Sequence, residues 1–503
     1  MIQNRVLTLF CILGVKTPKG KPNPTSRRML PRLSLVFATD KNGLFGLNGS
    51  IPWRNSEDLK HFNRVTSDTF SEPLLVMGRK TFESLPEPKA SSAKKLEGRT
   101  QIVLSSQEVP GADYVFNSFE TVLMEFPNQH LFIIGGSSLI EEVYRKYSSL
   151  IDKIYYTKIN QETPVQEGDS AVYVSFKTIN SILCNDNCKK RVKEIPSATF
   201  YKFSYLPHEE FQYLDLLQTC LDKGSYRQTR NASTFSTFNK TISFDLKKGF
   251  PLLTTKKVFM RGIFEELLFF LKGNTDSKLL EAKGVNIWKP NTTQEFIQSC
   301  GLPYEEGDMG PMYGWNWKHF GAEYVNKNTD YGGKGFNQIE YAMNLLRTDP
   351  FSRRILMTTY NPATAKKGVL YPCHSLVIQY YSKEVEGQYF VSMNMYQRSV
   401  DLACGLPFNI ASNALLLHLV CETLNQQVGE QKYVPDMMNI ILGDIHVYEQ
   451  HVEGVREQIK RIPFTFPNLV FKTTHTSVEE YVFEDISIEN YICHPAIKYL
   501  VVA

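Results

Sequence analysis

At 503 residues the chain is too long for one compact core, so two or more domains are expected. Its 42% hydrophobic and 12% aromatic content excludes a disordered chain, and 56 Lys plus Arg against 52 Asp plus Glu excludes a broad cationic surface, so nucleic acid is not an expected partner. No apolar run is long enough to cross a bilayer, no membrane association is expected, and nine scattered cysteines argue for reduced thiols in the cytoplasm.

Residues 1–31 read as a basic tail. Up to Arg32 there are seven Lys or Arg and no acid, with an apolar stretch from Val6 to Val15. Such a segment is either a disordered tail, the more ordinary reading, or a targeting presequence, mitochondrial or secretory. From Leu33 the pattern is that of an α/β domain. Leu33–Ala38 is a buried strand, Glu57–Val65 has helical spacing, and Leu74–Met77 is a strand that runs into Gly78-Arg79-Lys80-Thr81 and a short helix. Gln101–Leu104 and Leu131–Ile134 are further strands, the latter passing through Gly135-Gly136-Ser137-Ser138 into a helix that reaches Tyr144. Ile154–Thr157 and Thr199–Phe203 complete the set. Alternation of this kind predicts a sheet covered on both faces, with ligand loops at the strand C-termini. Cys184 and Cys188 have no second pair to complete a metal site and read as loop, so no metal is expected. The first domain is placed at 32–206 and a second, with long apolar helices at Ile263–Leu271 and Ala411–Leu424, at 207–503.

In the first domain, one carboxylate in an apolar pocket would have raised proton affinity, as a general acid needs. Asp58 stands five residues after Trp53, behind the loop Gly46-Leu47-Asn48-Gly49-Ser50-Ile51-Pro52-Trp53. Arg79 and Lys80 put two cations at a helix start, where an anion is already favoured. These segments resemble dihydrofolate reductase. The resemblance implies that Val36, Ala38, Asp58, Phe62, Arg99 and Thr157 hold dihydrofolate, with Asp58 catalytic and Arg99 on its glutamate carboxylate. It implies NADPH as cofactor, on Ala38, Phe45, Gly46, Arg79, Lys80, Thr81, Ser105, Ser106, Gly135, Gly136, Ser137 and Ser138.

In the second domain, Tyr371-Pro372-Cys373-His374 is followed by Tyr396-Gln397-Arg398-Ser399, preceded by Ser352-Arg353-Arg354, and succeeded by Pro407-Phe408-Asn409-Ile410 and His446-Val447-Tyr448. A cysteine is a good nucleophile only as thiolate, and clustered arginines both lower its pKa and grip a phosphate. The set reads as a covalent enzyme acting on a phosphorylated small molecule. With Pro251–Lys257, Glu265–Leu268 and Gly310–Trp315 it resembles thymidylate synthase from Phe211 to the end. The resemblance implies 5,10-methylenetetrahydrofolate as cosubstrate, Cys373 as nucleophile, and Glu266 and Tyr313 in a proton relay, with Trp288 an apolar folate contact. It places dUMP on Arg230, His374, Gln397, Arg398, Ser399, Asp401, Asn409, His446 and Tyr448, with Arg353 and Arg354 supplied by the opposite subunit of a homodimer.

The chain beyond the tail therefore resembles the bifunctional dihydrofolate reductase–thymidylate synthase family, an α/β (α+β) fold in which the first domain reduces the dihydrofolate that the second releases. Four positions depart from the family pattern. Ile140 replaces a tyrosine near the cofactor ring, the phosphate loop Thr229–Ser233 is shortened around Arg230, Lys289 follows Trp288 in place of an acid, and Asn337 stands for an aspartate. Ile140 keeps open an alternative: an active synthase with a weakened reductase domain serving as a folate-binding scaffold.

Overall fold

The computed structural model describes residues 31–67, 72–87, 94–127, 129–184, 188–205, 208–229 and 232–499. All but the last residue of the basic tail, and Arg230, lie outside the described residues.

The first half is built on one sheet. In chain order its strands are β1 (Arg32–Thr39), β3 (Leu74–Gly78), β4 (Thr100–Leu104), β5 (Tyr114–Phe116), β6 (His130–Gly135), β7 (Ile151–Ile159), β9 (Cys188–Ile195) and β10 (Ala198–Tyr205); the short strands β2 (Leu44–Leu47) and β8 (Ala171–Tyr173) pair separately. The spatial order is β5-β4-β3-β6-β1-β7-β10-β9, parallel from β5 to β7, with β10 and β9 antiparallel. The central strands β1, β3 and β6 are near-continuous apolar runs because helices cover both of their faces. Strand β9 is different. Its sequence Cys-Lys-Lys-Arg-Val-Lys-Glu-Ile is exposed along nearly its whole length and becomes a strand only by pairing with β10, and its lysines suit an edge. Cys188 thus opens a strand, and the expectation of a loop at both cysteines is corrected: Cys184 caps the helix Phe176–Leu183, while Cys188 is in the sheet.

The second half carries a sheet of β11 (Ser225–Gln228), β12 (Ser233–Asp245), β13 (Leu356–Thr358), β14 (Val377–Val385), β15 (Gln388–Asp401) and β16 (Tyr433–Tyr448), in the order β11-β12-β16-β15-β14-β13. Helix Gly405–Val428 runs across one face and is buried almost all round, which is why its sequence shows no polar stripe. The opposite face stays open: Gln379 and Tyr381 of β14 and Asn394 and Tyr396 of β15 are exposed in strict alternation with buried neighbours.

The halves join over a short connection between Tyr205 and helix Glu210–Lys223. Glu210 is fully buried and its carboxylate accepts from Thr254 N (2.9 Å), Thr254 Oγ1 (2.7 Å) and Thr255 N (2.8 Å), which fixes the loop carrying Lys256 and Lys257. Across the join, Ser148 Oγ meets Thr465 Oγ1 at 2.6 Å and Ser149 Oγ donates to the Pro463 carbonyl.

Candidate active sites

The first site forms where β1 and β7 lie side by side with helix Ser56–Ser67 above them. Register pairs Ala38 with Thr157, and Thr157 with Phe200 on its other flank. The helix carries Asp58 in its first turn and Phe62 one turn on, so both project to the sheet. Trp53 Nε1 donates to Asp58 Oδ2 at 3.4 Å. Burial raises the Asp58 carboxyl above its ordinary range, and hydrogen bonds from Thr157 and Trp53 oppose that only in part. A carboxylic acid that keeps its proton more readily is what ring protonation requires. Val36 is buried in the core cluster against which Phe62 packs. Arg99, 7% exposed, reaches under this helix: Nη2 donates to Asn63 Oδ1 (3.0 Å) and Ser67 Oγ (2.8 Å), and the guanidinium stands 5.8 Å from the Phe62 ring.

The C-terminal ends of β3 and β6 form a cradle beside this pocket. A Cβ on Gly135 (φ +142°) would stand 3.0 Å from Phe45 Cζ and 3.3 Å from Thr81, so only glycine leaves the cradle open. The helices Arg79–Ser84 and Ser137–Lys146 start here, behind Gly78 and Gly136, and neither has a side-chain cap. Their first backbone N–H groups are left for an anion, and Arg79 and Lys80 are exposed beside them. Arg79 is held by Glu83 at 3.1 Å, Ser105 Oγ accepts from Gln107 N at 3.0 Å, and Ser106 is exposed. The donor set fits a dinucleotide with several phosphates. Ile140 lies in the helix behind the cradle, fully buried in the core.

The second site centres on Cys373, in the loop leading into β14. Its carbonyl accepts from Arg398 N at 2.8 Å, which ties the loop to β15. Tyr313 Oη stands 3.3 Å from Cys373 Sγ and accepts from Cys373 N at 3.1 Å. The tyrosine is aimed by an unusual backbone (φ +44°) at the start of helix Gly314–Lys318, and its ring stacks on Phe270 and His374 at 5.1 and 4.5 Å. Gly314 is obligatory there, since a Cβ would stand 2.2 Å from the Phe270 carbonyl oxygen. The expectation that an arginine lowers the thiol pKa holds for the Arg398 contribution but not for the net value. Burial raises Cys373 above its ordinary value, and the Tyr313 hydrogen bond and the Arg398 charge offset only part of that.

Glu266, on helix Met260–Leu271, is pushed up to about 7 by burial, and its one opposing contact is the 2.8 Å bond from Trp288 Nε1. Trp288, expected as an apolar folate contact, thus spends its N–H on Glu266. A carboxyl poised at that value can hold or release a proton at working pH. Glu266→Gln is expected to lower kcat of the reaction at Cys373 by roughly 10²-fold, with a smaller change in KM, and to abolish the limb near pH 7 in the rate profile. Steady-state rates over roughly pH 5 to 9 on both proteins check this.

Around Cys373 the cleft is polar. Gln397 is buried, donates from Nε2 to Asn409 Oδ1 at 2.8 Å, and leaves its Oε1 without a partner among the described residues. Arg398 donates from Nε to the Pro372 carbonyl at 3.3 Å, and Ser399 follows it on β15. His374, held near 4 by burial, is neutral. Asp401 and His446 pair across β15 and β16, and His446 meets Tyr448 edge-on at 5.1 Å. Arg353 and Arg354 are not brought into this cleft. Both are exposed in the turn before β13, and Arg353 lines a cavity with Gln379, Tyr381 and Asn394 on the open sheet face. Asn337 caps helix Gln338–Thr348 through Glu340 N at 3.2 Å, so the amide serves as an aspartate would, and Lys289 pairs with Glu281 at 3.6 Å.

Two polar residues of this half escaped the sequence reading. Arg227 donates to Ser236 and to Asp444, and Asp444 in turn faces His446. Asp444 was findable, being two residues before His446 and so on its face of the strand; nothing local marks Arg227.

Comparison with known proteins places both sites in families. The family model described as thymidylate synthase matches residues 211–503, and that described as dihydrofolate reductase matches 32–190. The chain is 36% identical over 485 residues to a bifunctional dihydrofolate reductase-thymidylate synthase of Paramecium tetraurelia, covering 92% of this chain and 97% of the relative. A protein of the same name from Zea mays is 33% identical over 515 residues (92% and 95% covered), and one from Leishmania major 34% over 519 residues (93% and 95%).

Proposed function

The chain belongs to the bifunctional dihydrofolate reductase–thymidylate synthase family, and on that premise we propose how its residues divide the work. The enzyme methylates dUMP to dTMP with 5,10-methylenetetrahydrofolate, releasing dihydrofolate, and reduces dihydrofolate to tetrahydrofolate with NADPH. We assign the reductase to 32–206 and the synthase to 207–503. In the synthase half, the Cys373 thiolate adds to C6 of the uracil, and the electron pair moves through C5 to the C4 oxygen. C5 then bonds to the one-carbon unit, the relay through Tyr313 and Glu266 takes the proton that C5 loses, and the folate's own hydride completes the methyl group as the thiolate leaves. Arg398 and Ser399 hold the phosphate, Asn409 and Gln397 read the uracil edge, and His446 and Tyr448 meet the sugar hydroxyl. The observation that carries this reading is the seat of Cys373, with Tyr313 Oη 3.3 Å from its sulfur and Arg398 bonded to its carbonyl at 2.8 Å.

In the reductase half, Asp58 holds the proton destined for the pterin ring, steadied by Thr157 and Trp53. Bound NADPH supplies the hydride; Arg79, Lys80 and the two uncapped helix starts hold its phosphates. The weakened-reductase alternative is not favoured. Ile140 points into the core, the cradle keeps its glycines, and relatives spanning both halves are named as bifunctional enzymes. The eight cysteines among the described residues are all free, which suits the cytoplasmic location we assign, and cleavage of residues 1–31 in the native protein would redirect that assignment to mitochondria.

The working unit of this proposal is a homodimer joined through the open face of the synthase sheet. Exposed Tyr381, Tyr396 and Val377 give that face an apolar surface, and Arg353 at its rim would reach the partner's phosphate site together with Arg354. Mixing Cys373→Ala protein with an Arg353→Glu, Arg354→Glu protein, after reversible dissociation, is expected to regain synthase activity from two inactive parents. A mixture that exchanges subunits and stays inactive would refute arginines acting in trans.

A further inference from the structure

Asp444, His446 and Tyr448 alternate along one face of β16. Ser399 of β15 pairs directly with Asp444, and Asp401 with His446; from β12, Ser236 pairs with His446. Arg227 on β11 sends one guanidinium nitrogen to both Ser236 Oγ and Asp444 Oδ2. Asp444 Oδ1 faces His446 Nδ1 at 3.1 Å. An ionised carboxylate only accepts, so Nδ1 carries a hydrogen, and in the neutral ring Nε2 is then the acceptor. That carboxylate is held down to about 2, first by the His446 bond and then by Arg227, so it is charged at any working pH. Yet it stands next to Ser399, one strand from the position of a bound phosphate, where an uncompensated like charge would oppose the ligand.

We propose that Asp444 and Arg227 are positioning residues of the nucleotide site: Asp444 fixes the His446 tautomer that accepts a sugar hydroxyl, and Arg227 cancels the charge that Asp444 brings beside the phosphate. This rests on the nucleotide placement proposed above. Neither residue touches dUMP; each acts through a neighbour.

The test is steady-state synthase kinetics on the full chain with dUMP and with 2′,3′-dideoxyuridine monophosphate, which lacks the 3′ hydroxyl. Reductase turnover of each variant reports a folded chain. Wild type is expected to prefer dUMP. Asp444→Ala is expected to raise KM for dUMP about tenfold, as loss of one hydrogen bond to a charged group implies, with kcat changed less than about threefold, and to lose the preference over the analogue. Asp444→Asn, whose amide oxygen still accepts from Nδ1, is expected to retain most of it. Arg227→Gln is expected to raise KM for dUMP, more at low salt, and the Asp444→Asn, Arg227→Gln double variant to recover. His446→Ala separates the layers. If it keeps the preference, the nucleotide placement itself fails. If it loses the preference while Asp444→Ala keeps it, the tautomer role is overturned, and additive, salt-independent effects of Arg227→Gln and Asp444→Asn overturn the charge role.

Discussion

Cys373→Ser is expected to lose dTMP formation by roughly 10⁴-fold or more while dihydrofolate reduction by the same protein proceeds at the wild-type rate. The reaction needs a nucleophile that adds to C6 and later leaves, and a hydroxyl at that position is too weakly acidic to do the first step. In the resting chain the thiol is itself held up by burial, so it is not a standing thiolate. Its ionisation depends on two contacts: the Tyr313 hydroxyl 3.3 Å away and the Arg398 charge. Tyr313→Phe is therefore expected to share part of the loss, through a thiol left with less to oppose its burial. Release of tritium from C5-labelled dUMP reads the steps up to loss of the C5 hydrogen, apart from the hydride transfer that follows, because C5 gives up its hydrogen only after sulfur has added at C6 and C5 has bonded to the one-carbon unit. Release by Cys373→Ser at the wild-type rate would show that no sulfur adduct lies on the path.

The reach of the sequence differs between these groups for a physical reason. Cys373, Arg398 and Asn409 sit in contiguous motifs, and Asp58 is tied to Trp53 by a short spacing, so chemistry and position are visible together. The central strands were equally legible, because burial on both faces leaves a continuous apolar run. What stayed hidden is set by pairing across space. Strand β9 has no apolar rhythm and exists through β10. The role of Trp288 is decided by Glu266, 22 positions away, and that of Arg227 by Asp444, 217 positions away. Arg353 and Arg354 illustrate the opposite case. Their motif is plain in the sequence, but within one chain both are exposed in the turn before β13, and the phosphate role proposed for them rests on a second subunit.

Asp58→Asn is expected to lower dihydrofolate reduction at pH 7 by ~10²-fold or more, leaving the synthase untouched. The wild-type rate should fall as pH rises through the Asp58 value, since the protonated carboxyl is the active form and burial raises that value above the ordinary range. The variant, with no proton to titrate there, should give a flat profile over the same window. Stability moves the other way. A carboxyl whose folded value lies above its unfolded value favours the folded chain only while protonated, and that contribution is lost as pH rises through the folded value. Above that folded value the ionised Asp58 is therefore a burden on the fold that a neutral amide in its place removes, and thermal melts there should show Asp58→Asn the more stable protein. Below the ordinary carboxylate range both chains carry a neutral group and the difference should close. A variant that is inactive and also less stable above the folded Asp58 value would mean that Asp58 holds the fold through its bonds to Trp53 and Thr157, with no cost from its buried charge.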